Sequence, residues 1–465
     1  MFAPEIYAAR RSALARAVGN GLIVILGNGN ASMNYAGNLY PFRQDGSFLY
    51  YGGLDAPGLA LSIDAETGET TLYGHDPTLD DVIWEGPMPA LTDRAASVGI
   101  TRTAPPEALE AAVAEARRRE QTVHVLPPYR GDAKIRLGKM LDQDPDAVQA
   151  SEALVDAVIA QRLVKSDEEV AEIERAVELA AEVHRLAMRL AQPGTTEQAI
   201  AAAIERHYAA AGGFASFPIL LTKRGETLHN HATDAELASG DLLLVDTGAV
   251  VDRTRYVSDI TRVCPVGGTF SDRQRAVVEI VVAAQEAAIE GMAPGVPFRD
   301  LHQLAALTLT RGLQDLGLMT GDAEDAVAAG AHALFFPHGL GHAMGLDVHD
   351  MEGLGEDRVG YDDVFQRSEQ FGTAYLRFGK RLAPGHVMTV EPGCYFIPTL
   401  MDVWQEEGRH AAFIDYDALA SWRGFGGVRI EDDVLVTDSG CRVLGPEIPK
   451  APDAVEAVVR SGAPA

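Results

Sequence analysis

Four stretches in the last half of the chain each deliver a carboxylate or imidazole from apolar or glycine-rich backbone. Leu242 to Val245 reads as a buried strand and ends on Asp246, with Asp259 thirteen residues on. Phe335 to Asp350 carries His338, His342 and His349 among glycines. Val387 to Val390 reads as a strand that ends on Glu391, where Pro392 and Gly393 stop it. Arg423 to Asp433 holds Arg429 and Glu431, which share one face if the run is a strand, because strand side chains repeat every two residues. A buried carboxylate is costly unless it is paired or bound to metal. Any fold of this chain must therefore supply counter-charge where these ends meet.

Taken singly, each residue has an ordinary reading: a turn aspartate, a core or surface histidine, an ion-paired side chain. His338 and His342 have the i, i+4 spacing of a helical zinc pair, but Gly339, Gly341 and Gly345 disfavour a helix, and a loop–strand arrangement fits better. Taken jointly, Asp246, Asp259, His342, Glu391 and Glu431 supply four negative charges and one imidazole. Without metal, so many clustered carboxylates would repel and some would protonate. Two divalent cations balance them. Oxygen-rich ligation favours Mn²⁺ over a thiolate-preferring metal, with Zn²⁺ and Co²⁺ as alternatives. Cys394, three residues past Glu391, is expected to be a packing residue.

The net charge of −28, from 39 basic and 67 acidic residues, argues against a nucleic-acid or anionic-membrane partner. An apolar fraction of 47% with 23% charged residues is that of a globular protein, and 465 residues favour two domains. No apolar run reaches membrane-span length, and three cysteines are too few for a disulfide framework, so a soluble, cytoplasmic protein with reduced thiols is expected. Residues 1–160 read as a mixed α/β domain. Gly21 to Gly27 looks like a buried strand, strands flank a turn at Glu66 to Glu69, and Glu107 to Glu120 looks helical. Residues 161–465 open with a long helix capped by Ser166 and Glu169, which stops at Pro193-Gly194. A second helix is expected to be capped by Thr195 with Gln198. Eleven of 13 histidines lie after residue 160.

The metal-ligand pattern resembles the pita-bread metallopeptidases, the family of methionine aminopeptidase, aminopeptidase P and prolidase, over about residues 160–448. Phe42 to Leu54 resembles the creatinase-type N-terminal domain, which methionine aminopeptidase lacks. The resemblance implies an α/β (α+β) chain: a creatinase-type mixed α/β domain, then a pita-bread catalytic domain. It implies an Xaa-Pro dipeptidase (prolidase) using a hydroxide held by two cations. Aminopeptidase P, acting on longer peptides, is the alternative, and a non-catalytic binding protein a more distant one. By resemblance Asp246 binds one cation, His342 and Glu391 the other, and Asp259 and Glu431 bridge. Glu391 also relays a proton. His349 and His338 hold substrate and the developing oxyanion. His229, or the competing His231, lies on the substrate side with Arg429. Arg377 would grip the free carboxylate of a dipeptide bidentately. The Asp246–Asp259 spacing is two residues longer than usual in the family. If the two face each other across a hairpin, an even insertion keeps them together and puts the turn at Asp252-Arg253. A homodimer whose first domain helps to close the partner's site is also implied.

Overall fold

In the computed structural model, which describes residues 1–462, the run from Gly21 to Gly27 forms strand β1 (Leu22–Leu26). It is buried because both of its edges are paired. With β2 (Ala60–Asp64), β3 (Thr70–Tyr73), β4 (Arg102–Ala104) and β5 (Val123–Val125) it makes one sheet in the order β4-β3-β2-β1-β5. β1 runs antiparallel to β2 and parallel to β5. The expected turn joins β2 to β3, where the Asp64 carboxylate accepts from the backbone N–H groups of Glu66 (3.1 Å) and Thr67 (2.8 Å). The expected helix spans Glu107–Arg118 and sets Leu109 and Val113 against Val24, Tyr73 and Val125. Phe42 to Leu54 contains a short helix, Gly46–Gly52, capped by Asp45.

The chain divides into two compact units. Met1–Leu163 and the later segment Met351–Val359 form one; Val164–Asp350 and the chain from Gly360 onward form the other. The second unit opens with the helix Asp167–Leu190. Its capping box is the expected one: Ser166 Oγ accepts from Glu169 N, and Glu169 Oε2 accepts from Ser166 N. The next helix, Glu197–Ala210, is capped by Thr196 and not by Thr195. The buried Glu197 carboxylate sets that start, because it accepts from the backbone N–H groups of Lys223 and Thr233.

The strands of this unit are short: β6 (Gly213–Ala215), β7 (Leu220–Thr222), β8 (Leu242–Asp246), β9 (Ala249–Val251), β10 (Thr261–Pro265), β11 (Val387–Val390), β12 (Gly393–Tyr395), β13 (Gly427–Arg429), β14 (Asp432–Val436) and β15 (Cys441–Val443). They form two three-stranded sheets, β10-β8-β7 and β11-β14-β15, and two ribbons, β12-β13 and β6-β9, all antiparallel.

Two local expectations need correction. Asp246 pairs with Thr261, not Asp259, and Thr247 N donates to Ile260 O. The hairpin closes through Val251 N to Tyr256 O, two residues later on the far arm than a turn at Asp252-Arg253 requires. The two carboxylates are therefore offset along the ladder by two residues, which keeps them on one face. Arg429 and Glu431 are not on one strand either. The chain leaves its pairing with β12 at Arg429 and resumes, paired with β11, at Asp432. Among the described residues all three cysteines are free, and no helix is long and apolar enough to cross a membrane.

Candidate metal centre

Four of the five predicted ligands stand at or beside the end of a strand. Asp246 is the last residue of β8, Asp259 lies just before β10, Glu391 follows β11, and Glu431 lies between β13 and β14. His342 is in a loop held edge-on to β11: its N–H donates to Thr389 Oγ1 (3.0 Å), and Thr389 N donates back to His342 O (2.9 Å). That approach requires a glycine before the histidine, since a Cβ at Gly341 would lie 2.0 Å from Thr389 O. Glu391 is fixed by its own N–H, which donates to Leu340 O on the same loop (2.8 Å).

The side chains converge. One ligand atom from each of Asp259, His342 and Glu431 lies within 4.8 Å of the other two. His342 Nε2 is 3.5 Å from Asp259 Oδ2 and 3.7 Å from Glu391 Oε1. Asp246 is joined to the group through Arg429, whose Nη2 donates to Asp246 Oδ2 (2.5 Å). Although the strand breaks between them, Arg429 and Glu431 reach one atom. Arg429 Nε donates to Thr261 Oγ1 (3.1 Å), and that hydroxyl donates to Glu431 Oε2 (2.7 Å).

Burial raises the carboxyl pKa values of Asp259, Glu391 and Glu431 well above the ordinary range, and mutual repulsion adds to it. Arg429 opposes the rise at each. Asp246 Oδ1 and Asp259 Oδ1 are buried without a hydrogen-bond partner. Unsatisfied buried oxygens, raised carboxyl pKa values and an imidazole nitrogen at this spacing are the donor set of a divalent cation site, so the residues fit the metal. The sign of the linkage is testable. A carboxyl whose pKa is raised by folding stabilises the fold below its unfolded pKa, and the contribution is lost as pH rises through the folded value. The metal-free protein should lose thermal stability as pH rises above the ordinary carboxylate range, and the metal-loaded protein should not, because cations hold the ionised form. Parallel melting curves with and without a chelator read this out; identical pH dependence in both would count against metal at these carboxylates.

Three residues here carried no sequence signal. Thr261 is described above. Asp433 Oδ2 accepts the N–H of Asp259 (3.0 Å) and so orients that residue. The Tyr395 hydroxyl accepts from Arg429 Nη1 (3.0 Å) and lies 2.9 Å from His338 Nε2. His338 Nδ1 lies 2.8 Å from Gly339 O, which can only accept, so Nδ1 carries the proton and Nε2 accepts from Tyr395. Burial and the Arg429 charge push the His338 pKa down to about 3, which keeps the ring neutral.

Of the other substrate-side candidates, His349 is exposed and its ring lies edge-on to His342, 4.4 Å between centroids. His229 is exposed. His231 is tied to the backbone, Nδ1 to Ile219 O at 3.1 Å. Arg377 is half-buried, and its charge acts to lower the Glu391 pKa. Cys394 is fully buried in β12, its thiol pKa raised to about 12 by desolvation, as suits a packing residue.

Comparison with known proteins agrees with this arrangement. Residues 171–438 match the metallopeptidase family M24, and residues 7–125 match the aminopeptidase P N-terminal domain. A probable Xaa-Pro aminopeptidase of Phaeosphaeria nodorum is 32% identical, covering 91% of this chain and 88% of that protein. The Xaa-Pro dipeptidase of Homo sapiens is 31% identical, covering 95% and 89%. The structure of an alanine variant of Escherichia coli aminopeptidase P in complex with substrate superposes with a TM-score of 0.80 at 26% identity, covering 99% of each chain. The proline aminopeptidase P II of Yersinia pestis also gives 0.80, at 27% identity. The expected mixed α/β fold, an aminopeptidase P-type N-terminal domain before a pita-bread domain, is borne out. With its fold, its converging ligands and this match over most of its second unit, the chain belongs to metallopeptidase family M24.

Proposed function

We propose that this protein is an Xaa-Pro dipeptidase (prolidase) that hydrolyses dipeptides ending in proline. The proposed domains are residues 1–160, creatinase-type, and 161–465, catalytic. Asp246, Asp259, His342, Glu391 and Glu431 would hold two divalent cations, with Mn²⁺ the best chemical fit. Bound cations supply the charge that polarises the scissile carbonyl and makes water a nucleophile near neutral pH. Glu391 takes the proton of the attacking water and passes it to the proline nitrogen. That nitrogen is tertiary and offers no N–H, so the substrate must be held by its ends. His349, with its ring exposed beside His342, contacts substrate, and His229 is the second histidine assigned to substrate in this reading. His338 has both ring nitrogens engaged, and supports Tyr395 and through it Arg429. A loaded site with Arg429 counted carries a net +1, which suits the developing oxyanion.

The observation that favours a dipeptidase is Arg377. A guanidinium whose charge reaches Glu391 can grip a carboxylate one residue beyond the scissile bond. Aminopeptidase P is the second reading, favoured by the aminopeptidase P structures that match the whole chain. A panel of Xaa-Pro dipeptides and tripeptides, assayed with Mn²⁺, Zn²⁺ and Co²⁺, separates the two, and absence of both activities and of bound metal would favour a binding protein. Arg377→Ala should raise KM for the dipeptides at least about tenfold more than for the tripeptides, the weight of a charge-assisted bidentate contact. Equal effects on both would remove the dipeptidase argument. We also propose a cytoplasmic homodimer, a state that sedimentation of the purified protein reads directly.

A further inference from the structure

Lys165 and Asp350 form an ion pair in the interior of the second unit, 185 residues apart in sequence. Lys165 Nζ is 3.1 Å from Asp350 Oδ2, and each side chain is 1% exposed. Both partners are also held through the main chain. Lys165 N donates to Gly385 O (2.8 Å), next to the strand that leads to Glu391. Asp350 N donates to Ala343 O (2.9 Å), which closes the loop Ala343–Asp350. Gly345 lies against the pair, where a Cβ would come within 2.7 Å of Asp350 Oδ2 and 2.9 Å of Lys165 Cε, so the loop leaves no room for a side chain there. One end of this loop adjoins His342 and the other adjoins His349. The His349 ring, although exposed, stays 4.4 Å from the His342 ring. A charge pair is expensive to bury, and its most defensible use is to fix one geometry where an apolar pair would allow several.

We propose that Lys165 is a positioning residue for the peptidase reaction: by pinning Asp350 it fixes the loop that holds His349 beside His342, and it acts on turnover through His349. The inference rests on the proposed Xaa-Pro reading, in which His349 contacts substrate. Lys165 touches no substrate. Its loss lets the His349 ring move, and a displacement of about 1 Å in a positioning group costs up to about 100-fold in rate.

The test is a double-mutant cycle on the full-length, Mn²⁺-loaded protein with an Xaa-Pro dipeptide. Lys165→Met should lower kcat/KM about tenfold or more with bound metal unchanged. The same substitution in a His349→Ala background should change it less than about twofold, because a residue that acts through another has nothing left to act on. Equal losses in both backgrounds overturn the inference while leaving the role of His349 intact. An inactive wild-type protein, or a fully active His349→Ala, instead overturns the functional reading beneath it. If Lys165→Met does not fold, Lys165→Met/Asp350→Asn, which removes both charges of the pair, takes its place in the same cycle. That variant must show the same coupling to His349, and independence from it overturns the inference.

Discussion

Glu391→Ala should lower kcat on an Xaa-Pro dipeptide by about a thousandfold, the usual range for loss of a general base, while the protein melts no lower than wild type. Exposure sets Glu391 apart within the ligand set. Its side chain is 19% exposed, against 9% for Asp246 and 7% for Asp259, and Glu431 is 2% exposed as a whole residue. It is therefore the carboxylate that a substrate can meet. The fold has little to lose, because burial and the neighbouring carboxylates already oppose its ionisation, and truncation relieves both. Loss of a cation would also stop turnover, so Glu391→Gln belongs beside it, with metal content measured for both. Gln keeps the size and an oxygen ligand but cannot take a proton. Inactive Glu391→Gln with full metal content assigns the residue to proton transfer; near-normal hydrolysis by that variant would sink the assignment.

What could be read from the sequence was local. The apolar runs before Asp246 and Glu391 marked strand ends, and the glycines around His342 marked a loop, because period and backbone freedom are encoded within a few residues. The Ser166 capping box was equally local, and even there the next cap was misplaced by one residue, since a buried carboxylate contacting Lys223 and Thr233 decided it. The features that escaped depend on pairing between distant segments. Thr261 meets Glu431 across 170 residues, Asp433 meets Asp259 across 174, and Lys165 meets Asp350 across 185. Nothing in the identity of a threonine or a lysine announces such a partner. The same holds for the break at Ile430: Val428 to Val436 alternates like one strand, and only the competing edges of β12 and β11 divide it. Met351–Val359 belongs to the first unit for a similar reason, since membership depends on long-range packing.

Arg429→Met should have the largest effect on the metal-free protein, and an effect that metal diminishes. The four candidate carboxylates carry −4 only when all are ionised, and before any cation binds Arg429 is the positive charge that opposes the raised pKa values of Asp259, Glu391 and Glu431. Arg429 is 4% exposed, and its guanidinium donates to Asp246, Thr261 and Tyr395 at once. Methionine has similar length and burial but none of these donors. Its introduction leaves Asp246 with both oxygens unpartnered, since Oδ1 has no partner even now. Removing one member of a buried ion pair costs about 3–5 kcal/mol, because the other charge remains in the interior. Cations reverse this. Once Asp246 is bound to a divalent ion its charge is satisfied, and the missing guanidinium leaves only the Thr261 and Tyr395 contacts unmade, hydrogen bonds from a charged donor of about 1.5 kcal/mol or more each. Chelated Arg429→Met should therefore unfold at much lower denaturant than chelated wild type, and Mn²⁺ should narrow the gap. Arg429→Lys should behave more like Met than like Arg, because a single ammonium cannot hold three acceptors in a planar fork. A loss of the same size with and without Mn²⁺ would show that Arg429 stabilises by packing alone, and that Asp246 needs no cation.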